Sequence, residues 1–123
     1  MDIRLFRILL LTISFAAALG AHAQSAEASS AVPRIALRIT DLTEEERDAF
    51  TRDLHEQGNA RIVFACVPAG VLVIEGTESG RSADNLRLHA LPGLLRNVAA
   101  DRITEDQLTL RNAEDLCAEA RNR

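Results

Sequence analysis

The chain has 123 residues, of which 47% are hydrophobic and 26% charged, and its formal net charge is −4. That length holds one folded unit, and that composition excludes a chain too poor in apolar residues to fold. All 14 basic residues are arginines scattered singly among 18 carboxylates, which excludes the clustered cations that a nucleic-acid backbone requires.

The first segment reads as an address. Arg4 and Arg7 precede an apolar run from Ile8 to Gly20, and Ala21-His22-Ala23 places small residues two apart before Gln24. This is the pattern of a secretory signal peptide over 1–23. The apolar run is about 13 residues long, whereas crossing a bilayer takes roughly 20, so no permanent membrane anchor is expected. The chain left after cleavage, 24–123, carries 12 arginines and 17 acids, a net charge of −5. Its expected location is the periplasm or the extracellular medium. Residues 24–33 are rich in Ala and Ser without periodicity and read as a flexible leader, so a single small domain is expected over 34–123.

Ile35, Leu37 and Ile39 alternate with Ala36, Arg38 and Thr40, a period of two that predicts a first strand. Thr43-Glu44-Glu45-Glu46 matches a capping box and predicts a helix to about Gln57, with Phe50 and Leu54 on one face and Gly58 as its stop. Two β-branched runs, Arg61 to Val67 and Val71 to Glu75, flank Val67-Pro68-Ala69-Gly70 and predict a hairpin. Val71-Leu72-Val73-Ile74 has no polar alternation, so that strand is expected at the centre of the sheet, covered on both faces.

Ser82 or Asp84 can cap a second helix whose Leu88, Leu91, Leu95 and Val98 recur at helical spacing, with Pro92-Gly93 kinking it or dividing it into two pieces. Leu108 and Leu110 alternate with Gln107, Thr109 and Arg111 and predict a short last strand. Ala113, Leu116, Cys117 and Ala120 then fall at i, i+3, i+4 and i+7, an apolar stripe of a terminal helix. The predicted architecture is α+β: a ferredoxin-like βαββαβ antiparallel sheet with its helices on one face, plus a short C-terminal helix.

The stretch Ile39-Thr40-Asp41-Leu42-Thr43-Glu44-Glu45-Glu46-Arg47 occupies the place where a heavy-metal-associated domain, the small copper-chaperone module, carries a Gly-Met-Thr-Cys-x-x-Cys loop. The chain resembles that family in element order over about 34–111, and the Leu42-Thr43 pair resembles the motif itself. The resemblance implies a fold and no metal site, because Glu44 and Arg47 stand where the family has its two thiolates.

Cys66 and Cys117 both survive cleavage. In an oxidising compartment two thiols more often pair than stay apart, and an intramolecular disulfide closing a span of 51 residues is expected; two separate buried thiols are the alternative. No catalytic, cofactor or metal site is expected. His55, His89, Cys66 and the scattered carboxylates lack the short spacings of a metal site, and both histidines read as structural. Gly76-Thr77-Glu78-Ser79-Gly80-Arg81-Ser82 has one residue too few between its glycines for a phosphate loop, and arginine replaces the lysine. Cys66 has no Cys-x-x-Cys partner, and Glu44, Glu45 and Glu46 read as a solvated helix cap.

The expected function is a non-catalytic protein-interaction or binding module of the cell envelope. It would engage a protein partner, or itself, through the sheet face or an exposed strand edge such as 61–67. The alternative is a thiol-based redox or metal-handling protein that uses Cys66 and Cys117.

Overall fold

A computed structural model describes residues 32–123; the expected signal peptide over 1–23 and residues 24–31 of the expected leader lie outside the described residues. Strand β1, Arg34–Ile39, turns Ile35, Leu37 and Ile39 to one side of the sheet and Ala36 to the other. Helix α1, Glu44–Gln57, begins with the capping box: Thr43 accepts from the Glu46 N–H while Glu46 accepts from the Thr43 N–H. It stops at Gly58, whose φ of 71° is the left-handed conformation that glycine adopts without penalty.

Strands β2, Ala60–Cys66, and β3, Val71–Gly76, form the hairpin. Gly70 closes its turn at φ 65°, and its carbonyl accepts from the Ile39 N–H at 2.7 Å, which ties the turn to the end of β1. A Cβ at Gly70 would stand 2.2 Å from the Ile39 carbonyl oxygen, so no other residue fits. A bulge between Ile62 and Phe64 breaks the β2–β3 register, and Val63 and Phe64 both pack on the same side of the sheet.

Helix α2, Ala83–Leu95, is capped by Ser82, which accepts from the Asn85 N–H. Contrary to the expected division into two pieces, α2 runs unbroken through Pro92. The helical hydrogen bond that proline removes belongs to the Leu88 carbonyl, and both Leu88 and Pro92 lie on the solvent side, where water can serve that oxygen.

The last strand, β4, is Ile103–Asp106, not the Leu108–Leu110 alternation. Thr109 and Asn112 form a reciprocal cap that starts helix α3, Leu110–Arg121, and this local hydrogen bonding overrides a two-residue alternation. The Ile103–Asp106 segment shows a single apolar residue because it is a short, largely exposed edge strand.

The four strands pair antiparallel in the order β2-β3-β1-β4, which is the ferredoxin-like arrangement of a βαββαβ chain. Ile35, Leu37, Ile39, Leu72 and Ile74 face Phe50 and Leu54 of α1 and Leu86, Ala90 and Leu94 of α2 in the main core. Val71 and Val73 face the other way, with Ala36, Val63 and Phe64, and meet Ala113 and Leu116 of α3. Residues 71–74 are therefore fully buried between two layers, as their uninterrupted apolar run predicts.

Candidate interaction surface

Three carboxylates are held by arginines from other elements. Glu75 on β3 sits in register between Arg34 on β1 and Arg61 on β2 and bonds both, with Arg61 at 2.9 Å. The Arg34 guanidinium, and after it that of Arg61, holds the Glu75 carboxyl below its ordinary range. Arg102 grips Glu46 with both terminal nitrogens, at 2.8 and 3.0 Å, and donates to the Thr40 and Asp41 carbonyls at 2.9 and 2.8 Å. That fork lowers the Glu46 carboxyl in the same way. Arg87 on α2 reaches across to Glu105 on β4, depressing its carboxyl, and also pairs with Asp84. Each of these groups already has its partner, so the triads act as clamps between elements.

The residues named from the sequence fall in different places. Cys66, at the end of β2, and Cys117, on α3, come together: their Cα atoms lie 5.8 Å apart and their sulfurs at bonding separation, 2.00 Å. Both are almost wholly buried, at 1% and 4% exposure, so a reagent reaches the sulfurs only when α3 lifts from the sheet. His55 sits in the last turn of α1, beside Gly58 and Arg61, while His89 lines a separate small cleft with Pro33, Thr77 and Arg81. Among the described residues, no three His, Cys, Asp or Glu side chains are grouped so as to hold a metal ion. Gly76 to Ser82 joins β3 to α2, with Thr77 tied to the Asn59 and Gly58 carbonyls and Ser82 serving as the cap. Glu44 and Glu45 are exposed in the first turn of α1, where the dipole favours them.

The two surfaces named as possible docking sites differ in character. The outer face of the sheet is covered by α3 over β2 and β3, and a shallow groove of mixed character lies beside β1 and β4, lined by Arg38, Thr40, Thr104 and Asp106 and by Pro68 and Ala69 of the hairpin turn. Strand β2 is an edge, as expected for 61–67, yet its bulge and half-buried side chains make it a poor template for strand addition.

Helix α2 turns most of the residues singled out by their helical spacing away from the core. Of Leu88, Leu91, Leu95 and Val98, only Val98 is buried. Leu88 is 72% exposed, Leu95 48%, and Leu91 half-buried, while the core is filled from the opposite side by Leu86, Ala90 and Leu94. Leucines fall on two sides of the helix, so spacing alone cannot choose between the two stripes. A signal for the right choice was present: Asp84 lies one turn before Leu88 on the same side, and the Leu86, Ala90, Leu94 side carries no charge. With the exposed Pro92, Leu88, Leu91 and Leu95 form an apolar stripe on the surface of a small domain.

Comparison of the chain with protein-family models, curated proteins and solved structures finds no match. The stripe therefore rests on its own physical chemistry. Large exposed leucines gathered on one helix face are uncommon on a small soluble domain, where such patches mark interaction sites. Among the described residues no helix is long and apolar enough to cross a membrane.

Proposed function

We propose that the protein is a non-catalytic binding module of the cell envelope, exported by its N-terminal segment, and that it holds a protein partner against the outer face of α2. The observation that carries this reading is the exposure of Leu88 and Leu95, flanked by the half-buried Leu91, although α2 has already filled its share of the core through Leu86, Ala90 and Leu94. A second apolar face has no role in folding, and burial of such side chains at about 25 cal/mol per Å² is the usual source of association energy. The charged groups nearby are engaged within the domain, Arg87 with Glu105 and Arg96 with Asp53, so the stripe presents apolar surface with few competing charges. Kinship with the heavy-metal-associated domains is proposed at the level of element order alone, supported by the βαββαβ succession.

The test is photocrosslinking in the native host from a benzoyl-phenylalanine placed at residue 88, with residue 114 on α3 as the control position. A single discrete adduct from 88 and none from 114 is expected, whether the captured chain is another protein or a second copy. Equal or absent labelling from both positions would overturn the reading.

A further inference from the structure

Helix α3 is fastened differently from every other element. The other two helices and all four strands are cross-braced by charged side chains: Arg102 to Glu46, Arg87 to Glu105, Arg96 to Asp53, and Arg34 and Arg61 to Glu75. The polar bonds of α3 among the described residues stay within its own neighbourhood, Thr109 with Asn112 and Arg123 with Glu119. Its apolar hold is small. Ala113 is buried, Leu116 and Ala120 are only half-buried, and the patch beneath them is Ala36, Val71 and Val73 with the half-buried Val63 and Phe64. The main core lies on the far side of the sheet and contains no residue of α3. What remains is the Cys66–Cys117 bridge.

We propose that this bridge is a redox latch: it clamps α3 over the outer face of the sheet, and its reduction releases α3 alone while the sheet, α1 and α2 stay folded. The step is a dithiol–disulfide exchange. A thiolate of a small-molecule or protein dithiol attacks one sulfur of the bridge and forms a mixed disulfide, and the second thiol of the same reagent displaces it. Cys66 and Cys117 gain two electrons and two protons and become thiols, while the reagent is oxidised to its own disulfide. Without the cross-link α3 keeps its own cap, so it can persist as a loose helix, but its remaining apolar hold is the buried Ala113 with the half-buried Leu110, Leu116 and Ala120 and the adjoining Leu108. Its release uncovers the buried Ala36, Val71 and Val73 and widens the exposure of the half-buried Phe64.

Amide hydrogen exchange on the full chain, with and without dithiothreitol, tests the latch, with the thiol count followed alongside. Reduction is expected to speed exchange across 110–121 by roughly a hundredfold or more, since a cross-link of this span acts through chain entropy. Peptides from β1, β3 and α1 are expected to keep their protection, and binding of an apolar dye should rise. Cys66→Ala/Cys117→Ala should show the same pattern without reductant. Three results would each overturn the proposal: a bridge that survives millimolar dithiothreitol in the folded chain, a fully reduced chain whose α3 stays protected, and loss of protection throughout the domain together with α3.

Discussion

Glu46 answers to both ends of the chain's architecture, since one of its oxygens caps α1 at the Thr43 N–H while the pair of them receives the fork of Arg102, 56 residues away. The start of α1, the loop after β1 and the approach to β4 are thereby held on one guanidinium. Arg102→Gln loses the bidentate geometry, so we expect a melting temperature several degrees lower at neutral pH, with the helical circular dichroism retained.

The same clamps set the acid limit of stability. Glu46, Glu75 and Glu105 all have folded-state values depressed below 4.5, chiefly by Arg102, Arg34 and Arg87 respectively. A depressed carboxylate contributes stability that is present in full above its unfolded value and is lost as the pH falls through the lowered folded value. Urea midpoints should therefore be flat from pH 6 to 8 and decline below about pH 4.5, and Glu75→Gln should shallow that decline.

The two leucine stripes of α2 should respond oppositely to substitution. Leu94→Ala removes a wholly buried side chain and should cost about 2–5 kcal/mol in denaturant titration. Leu88→Glu and Leu95→Glu alter exposed positions and should stay within about 0.5 kcal/mol of the parent, while abolishing the crosslink from the stripe.

Glycines 58 and 70 share a left-handed backbone and differ in their surroundings. Gly58→Ala meets nothing within 4 Å and should cost only the conformational penalty of about 1–2 kcal/mol. Gly70→Ala drives a methyl group into the Ile39 carbonyl and must open the hairpin turn. We expect its melting temperature to fall well below that of Gly58→Ala, and a comparison of the two melts checks it.

Removal of the bridge also has a definite sign. Cys117→Ser opens a loop of 51 residues, which in the chain-entropy model lowers stability by up to about 4 kcal/mol. A cooperative transition should survive because the main core includes neither cysteine, and calorimetry of the variant would show it.

Much of the fold was legible in particular residues. The Thr43–Glu46 box and Gly58 bounded α1, Pro68 and Gly70 marked the hairpin turn, and the unbroken run 71–74 announced a strand covered on both sides. The reading failed where two local rules competed. At 108–110 the alternation lost to the Thr109–Asn112 cap, and at Pro92 a helix breaker was tolerated because the orphaned carbonyl faces water. The candidate surface was the hardest to see. It consists of leucines whose helical spacing marks a helix without saying which side faces the sheet, and the charge of Asp84 beside Leu88 was the quiet sign that they point outward.

What the sequence by itself determined was local: caps, turns and strand alternation arise from steric and hydrogen-bonding preferences among residues a few positions apart. Only the tertiary structure decided which side of α2 faces the sheet, that the last strand is Ile103–Asp106, and that α3 takes the outer face with Cys117 beside Cys66. Those choices depend on which surface another element offers. An apolar side chain gains by burial against any surface of suitable shape, so its destination is fixed by the whole assembly and not by its neighbours in the chain.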